Sequence, residues 1–237
     1  MIVVSILLAF AIDAGWDEFK DRGDEREVLL ALVQEFEANL EEATGTIASH
    51  ERSSRLIALA HERTASETAL LDADSAAATL AALASPRTFD AIRGSLDALI
   101  GSGRLELIRD QELRRALAVF LNLVDDSVED AAYLAEGSRR VWDRQIAVGG
   151  PWRIEAAYLT AEGCDAPVAP SSCYVETEEW AYLPQATSAD LLAAMADEEL
   201  MGQVRQLQIN VSRYLAEVRR IERQVRVILS LLNENLG

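Results

Sequence analysis

Two histidines and two cysteines are the residues of this chain best suited to chemistry, set among 40 carboxylates. His50 and His61 lie in a small duplication, Ser49-His-Glu-Arg-Ser53 and Ala60-His-Glu-Arg-Thr64. Eleven residues is close to three helical turns, so both rings share a helix face. The same spacing sets them about 16 Å apart along the axis, too far to share a metal ion. Local hydrogen bonding at the edge of a packed seam is the expected role. A pH response is the alternative, because imidazole titrates near neutrality. Cys164 and Cys173 flank two prolines in Glu162-Gly-Cys-Asp-Ala-Pro-Val-Ala-Pro-Ser-Ser-Cys-Tyr174. As a candidate disulfide they would contribute about 2.5–3 kcal/mol by closing the loop, and would require an oxidising compartment. Unpaired thiols are the competing reading. A zinc site would need two further ligands, and neither histidine is near in sequence.

The remaining candidates are weaker. Asp125-Asp126 and Glu178-Glu179 are adjacent pairs, which point to different faces of a helix and read as solvated surface. Ser171-Ser172 has no histidine nearby and no nucleophile elbow. Gly101-Ser-Gly103 lacks the lysine and the strand-before-helix setting of a phosphate loop and reads as a helix stop. Trp142, Trp152 and Trp180 could floor a ligand pocket, but covering the end of a bundle is the plainer role. No catalytic, cofactor-binding or metal-binding set emerges, so no enzyme and no cofactor are expected.

These residues must be positioned by helices. Half of the 237 residues are apolar, enough for a core of one or two domains. The net charge of −18 argues against nucleic acid and for a solvated, self-repelling surface. The chain opens on twelve almost uninterrupted apolar residues, Ile2, Val3, Val4, Ile6, Leu7, Leu8, Phe10 and Ile12 among them, with Trp16 where the charges begin. Such a helix covers about 18 Å against roughly 30 Å of hydrocarbon. A signal peptide has an apolar core of this length, but no basic segment precedes the run and no small-x-small cleavage site follows it. Trp16 fits an interfacial anchor, so residues 1–19 read as an uncleaved membrane anchor.

From Glu25 a seam spaced by three and four residues runs Leu29, Val33, Phe36, Leu40, Ala43, Ile47, His50, Ser54, Ile57, His61. It predicts an amphipathic helix continuous with the anchor and reaching about Leu71, weakened at Gly23 and Gly45. Short helices are expected over 75–84, ended by Pro86, and over 89–100. Asp110 looks like the N-cap of a long helix with a seam of Leu113, Leu117, Phe120, Val124, Ser127, Ala131 and Leu134, ending near Gly149. Residues 150–187 hold four of the five prolines and both cysteines, an irregular or hairpin insertion with strands expected at 154–159 and 174–175. From Ser188 one long helix carries Val204, Leu207, Val211, Tyr214, Val218, Ile221, Val225, Ile228 and Leu232 without a slip. That is a coiled-coil seam, expected to pack within the chain, with self-association as the alternative. The predicted fold is all-α: a membrane helix continuing into an antiparallel long-helix bundle, divided as anchor 1–19, bundle 20–149, insertion 150–187 and closing helix 188–237.

Two stretches carry a resemblance. Val3-Val-Ser-Ile-Leu-Leu-Ala-Phe-Ala-Ile-Asp-Ala-Gly-Trp16, with Leu32-Val-Gln-Glu-Phe-Glu-Ala-Asn-Leu40 after it, resembles the opening of a bacterial group of membrane-anchored helical proteins of unknown function. Leu96-Asp-Ala-Leu-Ile-Gly-Ser-Gly-Arg-Leu-Glu-Leu-Ile-Arg-Asp-Gln-Glu-Leu-Arg114 is similar to that group's central segment. The likeness covers roughly residues 1–145 and brings no catalytic residues. It implies a membrane anchor, a helical body and further residues ahead of Met1. The expected role is structural or protein-interacting, in the bacterial inner membrane with the body periplasmic. The expected partners are the membrane through the N-terminus and a protein, or a second copy, through the last helix. An extracytoplasmic ligand-binding or sensor module is the alternative.

Overall fold

The computed structural model describes residues 2–65, 82–83, 87–149 and 187–237, with side chains from residue 22 onward and to residue 59 in the first stretch. Among these the regular elements are helices: α1 (Ile2–Ala65), α2 (Gly94–Gly101), a 3-10 turn (Arg104–Leu107), α3 (Gln111–Gly149), α4 (Ser188–Ala196) and α5 (Glu198–Leu236). The all-α expectation is met. Two compact units are assembled from separated stretches. Unit 1 is Met1–Thr44, Asp90–Asp125 and Arg219–Gly237, and unit 2 is Gly45–Phe89 and Asp126–Val218.

In unit 1, Phe36 of α1 meets Phe120 of α3 edge to face with ring centroids 4.9 Å apart. Leu29, Leu32, Leu113, Leu117, Ile221, Val225, Ile228 and Leu232 are buried in the same unit. The Gln224 amide donates to the Ala116 carbonyl at 2.9 Å and the Asn235 amide to the Asp110 carboxylate at 2.9 Å, so α3 and α5 run antiparallel here. Glu25 pairs with Arg109 at 3.4 Å, which together with Phe36–Phe120 sets α1 and α3 in the same direction. The expected antiparallel bundle is therefore mixed. The chain from residue 90 to 109 makes the return, running back along α1.

In unit 2, α5 runs antiparallel to both partners. Arg213 pairs with Asp130 at 3.4 Å, and Arg144 with Asp197 at 2.6 Å. His50 lies edge-on to Tyr214, and the Ser54 hydroxyl donates to Gln208 at 3.4 Å. A Cβ at Gly137 would lie 3.0 Å from Leu207 Cδ1, so α3 and α5 approach closely where glycine leaves room.

All nine α5 seam residues from Val204 to Leu232 are buried with no second chain present. On α3, Leu113, Leu117, Phe120, Val124, Ser127 and Leu134 are buried, Ala131 is half-buried, and the stripe goes on through Val141 and Gln145. The α1 seam differs from its prediction at alternate positions. The buried positions are Leu29, Leu32, Glu35, Phe36, Asn39, Ala43, Thr46, His50, Ser53 and Ile57. Val33, Leu40 and Ile47, chosen for their hydrophobicity, are only half-buried one residue away, and Ser54 is exposed.

Other boundaries also shift. Residues 87–93 are not helical, so the helix expected from residue 89 starts at Gly94. Helical hydrogen bonding continues through Gly23 and Gly45. The helix expected from Ser188 breaks at Asp197, whose carboxylate accepts from the Leu200 amide at 2.7 Å and from the Arg144 guanidinium. A side chain that caps a new helix competes with continuing the old one. No described helix is long and apolar enough to cross a membrane. The side chains of the anchor residues Ile2 to Trp16 are not among those described. The insertion, with its strands and with Cys164 and Cys173, also lies outside the described residues.

Replacing Val218 and Ile221 together with Asp is expected to abolish cooperative thermal unfolding followed by circular dichroism. Each site buries its side chain fully, and an unpaired buried charge costs several kcal/mol, on the order of the whole stability of a domain. A variant that kept its melting transition and lost only self-association would show that the seam serves a dimer.

Candidate functional site

Four of the five buried polar residues described on α1 fall at 35, 39, 46 and 50, spacings of four, seven and four that put them on one helix face. Each holds the backbone of the returning chain. In unit 1, Asn39 donates from its amide nitrogen to the Ile92 carbonyl at 2.7 Å and accepts the Ile92 N–H on its amide oxygen at 2.9 Å. That reciprocal pair is what a β-strand neighbour would supply, delivered here by one side chain. Glu35, 6% exposed, accepts from the Ser95 amide and from the Leu96 amide at 3.1 Å. These are first-turn N–H groups of α2, which its own N-cap Arg93 leaves without a side-chain cap. A carboxylate placed there satisfies orphan donors and complements the helix dipole.

Unit 2 repeats the device. Thr46 donates to the Thr88 carbonyl at 3.5 Å, and His50 Nε2 lies 2.6 Å from the Arg87 carbonyl. A carbonyl only accepts, so Nε2 carries the proton. The Phe89 amide donates to the Tyr214 hydroxyl at 2.6 Å. His50 is 2% exposed, and burial pushes its pKa below the usual 6.5. The Arg87 guanidinium pushes in the same direction, against the opposing effect of the backbone hydrogen bond. That guanidinium lies over Gly45, 3.3 Å from where a Cβ would stand.

In unit 1 the clamped α2 stands beside residues 24–32 of α1 and leaves a cleft of about 460 Å³ between them. Val28, Ala31, Leu32, Ala98 and Leu99 form its apolar floor, and its rim carries Asp24, Glu27, Ser95, Ser102 and Arg104. Helical spacing brings 24, 27, 28, 31 and 32 to one face of α1, and 95, 98, 99 and 102 to one face of α2. Small side chains on both walls keep the space open. Gly103, with φ of +69°, turns the chain sharply after α2 and sets Arg104 beside Asp24, where the pair meets at 3.4 Å.

Neither feature is legible in the hydrophobic pattern, which favours the apolar neighbours of the polar row and marks Gly101-Ser-Gly103 as a helix stop without revealing that it presents Arg104 to α1. The usable signal was a polar row at helical spacing followed by a Pro86-led segment with no periodicity. The residues singled out earlier are dispersed. His50 is buried and bonded far along the chain, whereas His61 lies on α1 beyond its described side chains. Trp142 is half-buried, and Trp152 and Trp180 fall outside the described residues. Asp125 is exposed and pairs with Arg93 at 3.3 Å. No group of three metal-ligating side chains occurs among the described residues.

Two expectations follow from the clamps. Asn39→Leu, which a coiled-coil pattern would favour, lowers stability in urea titration by about 1–2 kcal/mol, because it orphans the part-buried N–H and carbonyl of Ile92. Glu35→Ala acts likewise, and amide exchange at Ser95 and Leu96 accelerates in it. For His50, a folded-state pKa below that of the unfolded chain means its contribution is complete above 6.5 and is lost as pH falls through that value toward the folded one. The stability difference between the native protein and His50→Gln, which keeps a donor for the Arg87 carbonyl, therefore shrinks from pH 7.5 to 5.5. A difference independent of pH would contradict the buried, neutral ring.

No protein-family model matches this sequence, and no curated protein or solved structure matches the chain.

Proposed function

We propose that this protein is a membrane-attached helical interaction module of the bacterial envelope, held by its N-terminal apolar run with its body on the periplasmic side. The observation that carries the reading is the continuity of α1. Residues 2–12 belong to the same helix whose later turns are packed into the body, so whatever receives the apolar run also receives the body. An apolar helix end bounded by Trp16 and acidic residues is suited to a bilayer interface. The likeness of residues 1–145 to bacterial membrane-anchored proteins supports the same reading. The long seams are filled within the chain, which leaves its charged helix faces, rather than an open core, to meet partners.

In fractionated cells the protein is expected with the membranes, retained in high salt and released by detergent. The double substitution Leu8→Asp with Phe10→Asp is expected to move it to the soluble fraction with its circular dichroism unchanged. In intact cells a membrane-impermeant maleimide is expected to label Cys164 and Cys173 only after reduction. A native chain found soluble would sink the attachment, and labelling that needs lysis but no reductant would sink the periplasmic orientation.

A further inference from the structure

The cleft between α1 and α2 is an open groove with an aliphatic lining and a charged rim. Its volume of about 460 Å³ lies within the range of ligand pockets, and a floor of aliphatic side chains beneath a few converging polar groups is their usual lining. Its rim is asymmetric in charge. Arg104 is matched by Asp24, at 3.4 Å and with both side chains substantially exposed. Glu27 is exposed and makes no ion pair or hydrogen bond among the described residues. The rim thus holds two carboxylates against one guanidinium, in a chain whose net charge of −18 raises the local concentration of cations.

We infer that this cleft binds an amphiphile with a primary ammonium on a short aliphatic chain, the ammonium seated between Asp24 and Glu27 and the chain lying on Val28, Ala31, Ala98 and Leu99. The shape of the site supports this occupant. Asp24, Glu27 and Val28 follow one another along one α1 face, so an ammonium at the acidic end directs its alkyl tail along the apolar floor. A carboxylate ligand would meet a rim with one carboxylate in excess, and an uncharged one would gain nothing from Glu27. This inference is independent of membrane attachment, since it concerns only side chains of unit 1.

The test uses the full-length protein and three probes of equal length: hexylamine, hexanol and hexanoate. Binding is followed by calorimetry and by shifts of the Ala31 and Ala98 methyl resonances. The expected order is hexylamine, then hexanol, then hexanoate, with about tenfold between the first and last, equivalent to about 1.4 kcal/mol. Ala98→Trp, which fills the floor, is expected to abolish binding of all three. Asp24→Asn with Glu27→Gln leaves Arg104 as the one charge of the rim and is expected to reverse the order, with hexanoate first. Both variants change surface-facing positions, and a melting curve checks that each folds. Equal binding of the three probes, an order unmoved by the carboxylate substitutions, or no binding to the folded native protein would each overturn the proposal.

Discussion

The structure depends on α1 satisfying the backbone of a segment that has no secondary structure of its own. A chain that must return along a helix without being helical presses unpaired N–H and C=O groups against that helix, each costing up to about 1–3 kcal/mol if left bare and shielded from water. Here the answer is a row of polar side chains, one every turn or two, on the very stripe where an ordinary bundle would place leucine. Asn39 answers both groups of Ile92, Glu35 answers the start of α2, and Thr46 and His50 answer Thr88 and Arg87. The apolar side chains between them, Phe36 and Ala43, keep the stripe packed.

This solution fixes what lies near it. Because Glu35 caps α2, the eight-residue helix has a defined start despite being far too short to be stable alone. Its position in turn sets the wall of the cleft and, through the left-handed Gly103, the place of Arg104. Arg109 then reaches Glu25, which also accepts its backbone N–H at 2.9 Å, and Asp110 caps α3 by accepting from Glu112 at 2.8 Å. The Asn235 amide, donating to the same Asp110, holds that carboxyl below the usual range. A chain of capping interactions thus carries unit 1 from the first clamp to the beginning of α3.

Unit 2 uses charge for the same end at another break. Asp197 interrupts the last helical segment, caps α5 and accepts two hydrogen bonds from the Arg144 guanidinium, which keeps its carboxyl below the ordinary range. A reciprocal capping box at Thr187 and Asp190 starts α4 just before it. Closely spaced helices elsewhere in the unit rely on size instead, as where Gly137 admits Leu207.

By itself the sequence determined the all-α class, the extent of α3, the start of α3 at Asp110 and the whole α5 seam from Val204 to Leu232. These follow from periodicity and local capping, which act over a few residues and need no knowledge of partners. It did not determine which face of α1 is inside. Val33, Leu40 and Ile47 satisfy the same three-four spacing as Leu32, Asn39 and Thr46, and hydrophobicity chooses the first set. Only the tertiary structure chose the second, because the return segment brings backbone groups that apolar side chains cannot satisfy, and the cost of burying those groups bare exceeds the gain from burying a few more methyls. The break at Asp197 and the cleft were decided in the same way, by partners 53 and 80 residues away in sequence, Arg144 and, for Asp24, Arg104.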